Sequence, residues 1–210
     1  MARDTVGTDT VDGFEASNFP FIIQREPTDI LVTSGTNSGI LGLSPENDAS
    51  GPLFVSALHD QGAIKANTFS ILLSFQPFQD SYLTFGGVPE FVEALDNDFV
   101  CHRISGSFHW QLKVPSMEFD GEEFAFEKTP TLMLTDTGTT MTYLPYKGYE
   151  WLIKKICEDV ECVNIEVEHN VVSSLVYVRN CELDNFKPLW FRIDTHWYML
   201  APNSYLIFSY

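Results

Sequence analysis

Residues 132–145 read Leu-Met-Leu-Thr-Asp-Thr-Gly-Thr-Thr-Met-Thr-Tyr-Leu-Pro, and they carry the most information about the fold. Its apolar start, Leu132 to Leu134, predicts a strand that is buried on both sides, and Gly138 allows the backbone to turn sharply after it. Asp136 is therefore expected at a buried edge. Neighbouring hydroxyl groups would satisfy its carboxylate and hold one rotamer. These hydroxyls belong to Thr137, Thr139 and Thr140.

The Asp-Thr-Gly turn resembles the active-site loop of the pepsin-like aspartic proteases, in which each of two lobes carries an apolar-apolar-Asp-Thr-Gly-Ser/Thr-Ser/Thr signature. Further segments are similar to this family in the same order, and the resemblance extends from about Asp4 to the last residue. These segments are residues 38–43 (Ser-Gly-Ile-Leu-Gly-Leu, with Ser38 in place of the usual Asp), 67–73, 82–87, 109–112 and 203–207.

The resemblance implies a mostly β, bilobal acid-protease fold. Residues 1–92 would be the second part of the N-terminal lobe, and residues 93–210 most of the C-terminal lobe. Composition agrees, because 17 Phe and 8 Tyr in short apolar runs separated by Gly and Pro favour strands.

The resemblance also implies roles for the residues of the loop. Asp136 would be the catalytic aspartate of the second lobe, Thr137 would grip the opposite loop, and the Thr139 hydroxyl would bond to the outer oxygen of Asp136, with Gly138 between them. Thr140 would face the backbone of the substrate, and Leu134 would line an apolar pocket. The substrate would be an extended polypeptide bound as an added strand. The mechanism would use no metal and no cofactor.

The family's chemistry requires two such loops, because two adjacent carboxylates cannot both ionise, so that one serves as acid while the other activates water. Aspartic proteases are the standard example of this pattern. The chain contains one Asp-Thr-Gly, since the segments at Asp9, Asp120 and Asp194 lack that sequence. By resemblance the first catalytic loop and the flap would precede Met1, and closing strands would follow Tyr210. The chain alone is therefore expected to be inactive.

Three interpretations remain open at this point. The first is an aspartic endopeptidase represented by a segment truncated at both ends, which would be monomeric when complete. The second is a pepsin-like pseudoprotease or fragment that binds peptides or another protein without hydrolysis. The third is a symmetric dimer in which two copies of Asp136 meet; unclosed sheet edges argue against it.

Charge and hydropathy exclude several classes of function. A net charge of −17 argues against nucleic acid as a partner. No apolar run approaches the ~18 residues of a membrane span, and no signal peptide follows Met1. The resemblance implies a secretory, vacuolar or lysosomal, or extracellular location.

The cysteines leave alternatives open. Cys157 and Cys162 are close enough in sequence for a small disulfide loop at a helix end, which would indicate an oxidising compartment. A zinc site would need two more ligands, of which only His169 is near. Cys101 has no obvious partner. Cys181 resembles the first cysteine of a second-lobe disulfide, and the alternative is a free buried thiol.

Local patterns predict two helices and one hairpin. One helix is expected from Pro52 to Asp60, ended by Gly62, and Pro145 opens another. The second helix would bury one stripe of Tyr149, Leu152, Ile153 and Ile156. Asp120-Gly121 predicts a hairpin tip that places Glu122, Glu123 and Glu127 in solvent rather than beside Asp136. His109 is expected to be a partly exposed strand residue.

Overall fold

The computed structural model of the chain describes residues 2–8, 13–23, 39–45, 51–74, 79–93, 99–127, 131–139, 141–163, 177–178 and 182–206. It is built mainly of short strands, as predicted from composition. The chain divides into two compact units, Met1–Cys101 with Ser107–His109, and His102–Gly106 with Trp110–Tyr210. That these units correspond to the two lobes expected from the sequence stays a prediction. Ser38, His169, Thr140 and Cys181 lie outside the described residues.

The described residues of the first unit form two antiparallel strand pairs and two short helices. Its strands are β1 (Ala2–Gly7), β2 (Glu15–Phe21), β3 (Phe69–Leu72) and β4 (Tyr82–Phe85), paired β1 with β2 and β3 with β4. Its helices are α1 (Phe54–Asp60) and α2 (Glu90–Glu93). The core of this unit is formed by apolar side chains of both pairs, of α1 and of Ile64, which follows the helix. These are Ala16, Phe19, Phe54, Val55, Leu58, Ile64 and Phe85.

Helix α1 confirms the helix predicted over residues 52–60, but it begins two residues later, at Phe54, and it ends as predicted. Gly62 has a φ of +76°, a conformation that glycine adopts without steric cost. The Gly62 N–H donates to the carbonyl oxygen of His59, and the Ala63 N–H donates to that of Leu58. These two bonds form a Schellman motif, which satisfies carbonyls that would otherwise be unpaired at the helix end.

The second unit is organised around an antiparallel four-stranded sheet in the order β12-β11-β6-β7. Two further antiparallel pairs are β5 with β8 and β9 with β10. The strands are β5 (Gln111–Val114), β6 (Ser116–Phe119), β7 (Glu122–Ala125), β8 (Thr131–Leu134), β9 (Cys162–Val163), β10 (Tyr177–Val178), β11 (Leu189–Ile193) and β12 (His196–Leu200). The helices are α3 (Tyr146–Asp159), a 3₁₀ turn (Leu183–Asn185) and α4 (Pro202–Tyr205).

The hairpin predicted at Asp120-Gly121 joins β6 to β7. Both residues have positive φ, +50° and +79°, which is the geometry of a two-residue turn that suits the twist of a hairpin. The Gly121 N–H also donates to the Glu118 carboxylate over 2.6 Å. Glu122 and Glu123 follow this tip and are exposed, as predicted.

Helix α3 packs against the four-stranded sheet through the stripe that its sequence predicts. Leu152 and Ile156 are buried, and Tyr149 and Ile153 are partly buried. Gly148 is also buried, and a Cβ added to it would lie 2.9 Å from Phe126 Cε1 and 3.2 Å from Met117 Cε. A larger residue would require Phe126 or Met117 to shift, so glycine suits this close approach of the helix to the sheet. The buried core is Val114, Met117, Phe119, Phe126, Leu152, Ile156, Phe186, Leu189 and Ile193.

The cysteine prediction at the end of α3 is confirmed. Cys157 in the last turn of the helix is bonded to Cys162 at the start of β9, with a Cα–Cα distance of 5.5 Å. Cys101 is exposed and has no disulfide partner in the part of the chain that the structure describes. Within that part, no helix is both long and apolar enough to cross a membrane.

Candidate active site

Strand β8 places the Asp-Thr-Gly turn at the end of its pairing with β5. Leu134 lies opposite Gln111 in this ladder. Just beyond it, the Thr135 N–H and the Thr135 hydroxyl both donate to the carbonyl oxygen of Trp110, each over 2.9 Å. Asp136 therefore follows immediately on a residue that is bonded twice to the residue preceding β5.

Both carboxylate oxygens of Asp136 accept hydrogen bonds from its own turn. The Gly138 N–H donates to Oδ1 over 2.9 Å, and the Thr139 hydroxyl donates to Oδ2 over 2.6 Å. The Thr139 N–H also donates to the Asp136 carbonyl oxygen at 3.2 Å, which closes the turn. These donors hold one orientation of the carboxylate. The Thr139 bond is the one that the resemblance implied.

Gly138 allows the close approach that this arrangement needs. A Cβ added at this position would lie 3.1 Å from Asp136 Oδ1, tighter than nearly all real Cβ contacts. A larger residue would push the carboxylate away from the Gly138 N–H. The glycine therefore contributes to the carboxylate geometry as well as to the turn.

The burial predicted for this segment is wrong. Leu132 and Leu134 are about half exposed, Met133 packs against the core of the second unit, and Asp136 is exposed. Among the described residues β8 pairs with β5 alone. Side chains alternate between the two faces of a strand, so Met133 points to the core while its neighbours point to the uncovered face. A short apolar run does not by itself distinguish burial on one face from burial on two.

The structure places the other predicted site residues as follows. Thr137 and Thr139 are exposed in the turn beside Asp136, and Leu134 precedes it on the exposed face of β8. Thr140, predicted to contact substrate, lies outside the described residues. The roles predicted for Thr137, Thr140 and Leu134 in substrate binding or loop pairing stay predictions.

Sequence reasoning did not single out Trp110, although its carbonyl oxygen anchors the loop through Thr135. The contact uses a backbone group, which every residue possesses, so the identity of the side chain gives no signal. Only the register of β5 against β8 would have revealed it.

The glutamates near the hairpin tip are ion-paired elsewhere. Glu122 contacts Lys155 at 2.6 Å, and Glu123 contacts Arg192 at 3.3 Å. Glu127 contacts Lys147 at 2.6 Å. The hydrogen bond to Glu122 raises the pKa of the Lys155 ammonium above its ordinary value. These pairs support the expectation that the glutamates do not act with Asp136.

His109 was predicted to be a partly exposed strand residue, and the strand part of this prediction is wrong: His109 is exposed and does not belong to a strand. It lies in a bend two residues before Gln111, where β5 begins. The ladder with β8 extends from Gln111 to Val114, so residue 109 precedes the first paired position. The boundary differs because the resemblance aligned the whole of residues 109–112 with a strand.

Comparison with known proteins adds evidence that is independent of this geometry. The model of the family described as eukaryotic aspartyl protease matches residues 1–210. The chain is similar to pepsin A of Sus scrofa, with 28% identity over 96% of this chain and 50% of that protein. It is similar to pepsin A of Suncus murinus, with 31% identity over 72% of this chain and 39% of that protein.

A fungal relative extends the range of similar proteins. The probable aspartic-type endopeptidase CTSD of Arthroderma otae is 26% identical over 68% of this chain and 35% of its own length. Taken together, the chain spans half or less of the length of these three relatives. The match to the family model nevertheless extends along the entire chain.

Proposed function

The chain belongs to the eukaryotic aspartyl protease family, and on this premise we propose that Asp136 is one carboxylate of the catalytic pair of an aspartic endopeptidase. The observation that carries the proposal is the pair of hydrogen bonds that hold both Asp136 oxygens within the Asp-Thr-Gly turn. A carboxylate that positions water must present one oxygen in a fixed direction, and donors within this turn hold both oxygens of Asp136.

The proposed chemistry is attack of an activated water on the scissile carbonyl carbon of a peptide. One carboxylate of the pair takes a proton from the water, and the other, protonated, donates a hydrogen bond to the carbonyl oxygen. Asp136 supplies one of these groups. The Gly138 N–H and the Thr139 hydroxyl orient it, Thr137 faces the opposite loop, and Thr140 and Leu134 contact the substrate.

The second carboxylate is proposed to come from a second Asp-Thr-Gly loop outside the 210 residues of this sequence. Two facts support this proposal. The sequence contains one such loop, and the chain spans 50% of the length of pepsin A from Sus scrofa. A polypeptide limited to these residues would then lack the partner that the pair requires, and it would not hydrolyse peptides.

The substrate class and the compartment follow from the same proposal. The substrate is a polypeptide that binds in an extended conformation through its main chain. The disulfide between Cys157 and Cys162 supports an oxidising compartment, which agrees with a secretory, vacuolar or lysosomal, or extracellular location. The complete enzyme is proposed to be a monomer.

The alternative is a pepsin-like protein that binds peptides or another protein without cleaving them. The two functions differ in the coding sequence around this frame, which can be extended experimentally in both directions from the codon for Asp136. An upstream Asp-Thr-Gly in frame supports the endopeptidase. Stop codons close to both ends would favour the non-catalytic protein.

Variants of Thr139 test whether its hydroxyl orients Asp136. In the active protease, Thr139→Val removes the donor to Oδ2 but keeps the shape of the side chain. A hydrogen bond to a charged group contributes about 1.5–3 kcal/mol, so we expect kcat/KM to fall by about tenfold to a hundredfold. Thr139→Ser keeps the hydroxyl and is expected to retain most of the activity. Equal losses in the two variants, measured with one peptide substrate, would contradict the orienting role.

A further inference from the structure

A second constellation of polar side chains lies in the second unit, at the turn between β11 and β12. His102 contacts two residues of this hairpin at once: its Nδ1 is 2.7 Å from the Asp194 carboxylate, and its Nε2 is hydrogen-bonded to the Tyr198 hydroxyl. Asp194 occupies the turn with a φ of +51°. The ring of His196 lies 5.6 Å from that of His102 at an interplanar angle of 77° and restricts its rotation.

The chemistry of these partners determines where the protons lie when the imidazole is neutral. An ionised carboxylate only accepts hydrogen bonds, so the Nδ1–H of His102 donates to Asp194. The other nitrogen, Nε2, then carries a lone pair and accepts the Tyr198 O–H. These three residues form a hydrogen-bonded triad. The Asp194 carboxylate orients the His102 imidazole, and the imidazole acts as a base beside the Tyr198 hydroxyl. This is the arrangement of an activated nucleophile.

The exposure of Tyr198 allows these three hydrogen-bonded residues to react with a molecule from solution. The His102 side chain is 11% exposed, so the base is shielded from water. Tyr198 is 38% exposed, and its hydroxyl belongs to a residue at the surface. A shielded base beside the hydroxyl of a partly exposed tyrosine would favour reaction at that hydroxyl.

We propose that Tyr198 is a nucleophilic site that accepts acyl groups from activated esters, with His102 as general base and Asp194 as its orienting partner. Tyr198 Oη attacks the carbonyl carbon of an aryl ester while its proton moves to Nε2 of His102. The bond from the carbonyl carbon to the aryl oxygen breaks, and the aryl oxide leaves and takes that proton. The products are O-acyl Tyr198 and a phenol. This site uses no residue of the Asp-Thr-Gly turn and does not depend on the function proposed for it.

Acetylation by 4-nitrophenyl acetate, followed by peptide mass spectrometry on the purified chain, tests the proposal. General-base assistance increases a rate by about 10²–10⁴-fold, so acetylation of Tyr198 is expected to exceed that of Tyr143 by at least about tenfold. Tyr143 is the control within the same molecule, because at 59% exposure it is more accessible than Tyr198. Acetylation of Tyr198 no faster than that of Tyr143 would overturn the proposal.

Two variants distinguish base catalysis from accessibility. His102→Gln removes the base and is expected to reduce the Tyr198 rate to that of Tyr143. Asp194→Asn keeps the size of an exposed side chain, removes the charge that orients the imidazole, and is expected to lower the Tyr198 rate severalfold while Tyr143 is unchanged. An unchanged Tyr198 rate in both variants would overturn the proposal. If His102→Gln does not fold, the Asp194→Asn variant still tests the role of the base. The comparison of Tyr198 with Tyr143 in the unmodified chain tests it as well.

Discussion

Replacing Asp136 with Asn in the active protease is expected to reduce kcat by about 10²–10⁴-fold, with a much smaller change in KM. Asn has nearly the size of Asp, and its side-chain oxygen can still accept the Gly138 N–H bond that Asp136 Oδ1 accepts. It lacks the charge needed to take a proton from water. The loss therefore falls on the chemical step and not on the binding of substrate.

The measurement is the cleavage rate of a peptide substrate at acid and neutral pH by the native and substituted enzymes. Asp120→Asn is the matched control, because it makes the same change at an exposed turn with a φ of +50°, which Asn tolerates. Its kcat should equal that of the native enzyme. If Asp136→Asn retains full activity, Asp136 is not a member of the catalytic pair.

Replacing Met117 with Ala is expected to lower the free energy of unfolding of the second unit by about 2–5 kcal/mol. Met117 is fully buried in β6, and its Cε is 3.2 Å from where a Cβ on Gly148 would lie. Truncation therefore leaves a cavity between the sheet and α3, the helix that follows the Asp-Thr-Gly turn. The surrounding atoms would not close it without moving this helix.

Urea unfolding followed by tryptophan fluorescence measures this loss. All 4 tryptophans lie in the second unit, at positions 110, 151, 190 and 197, so the signal reports on it directly. Met199→Ala is the matched control, because Met199 is exposed on β12 of the same sheet and its truncation should change stability by at most about 0.5 kcal/mol. Equal losses for the two methionines would mean that the core does not lie where the structure places it.

Features encoded within a few residues were predictable from the sequence. Helix α3 follows from a proline at its start and an apolar stripe with helical spacing, and the turn at Asp120-Gly121 follows from residues that tolerate positive φ. The Thr139 bond to Asp136 spans three residues and was implied by the family signature. Each of these depends on local chemistry, which a single sequence displays.

Features that depend on contacts between distant segments were not predictable. The exposure of Leu132 and Leu134 depends on which strands pair with β8, and an apolar run does not specify its partners. The anchor at Trp110 is a backbone carbonyl. The contact of His102 with Asp194 joins residues 92 positions apart, and nothing in the sequence near either one indicates the other.

Asp136 is expected to act only with a second carboxylate from outside this sequence. The decisive measurement compares the acid-pH cleavage of a denatured protein by the purified 210-residue chain and by its extension through an upstream Asp-Thr-Gly. We expect no turnover by the shorter chain and turnover by the longer one, which Asp136→Asn abolishes. Cleavage by the shorter chain that Asp136→Asn abolishes would contradict it. A dependence of that cleavage on the square of the concentration would indicate a dimer that pairs two copies of Asp136.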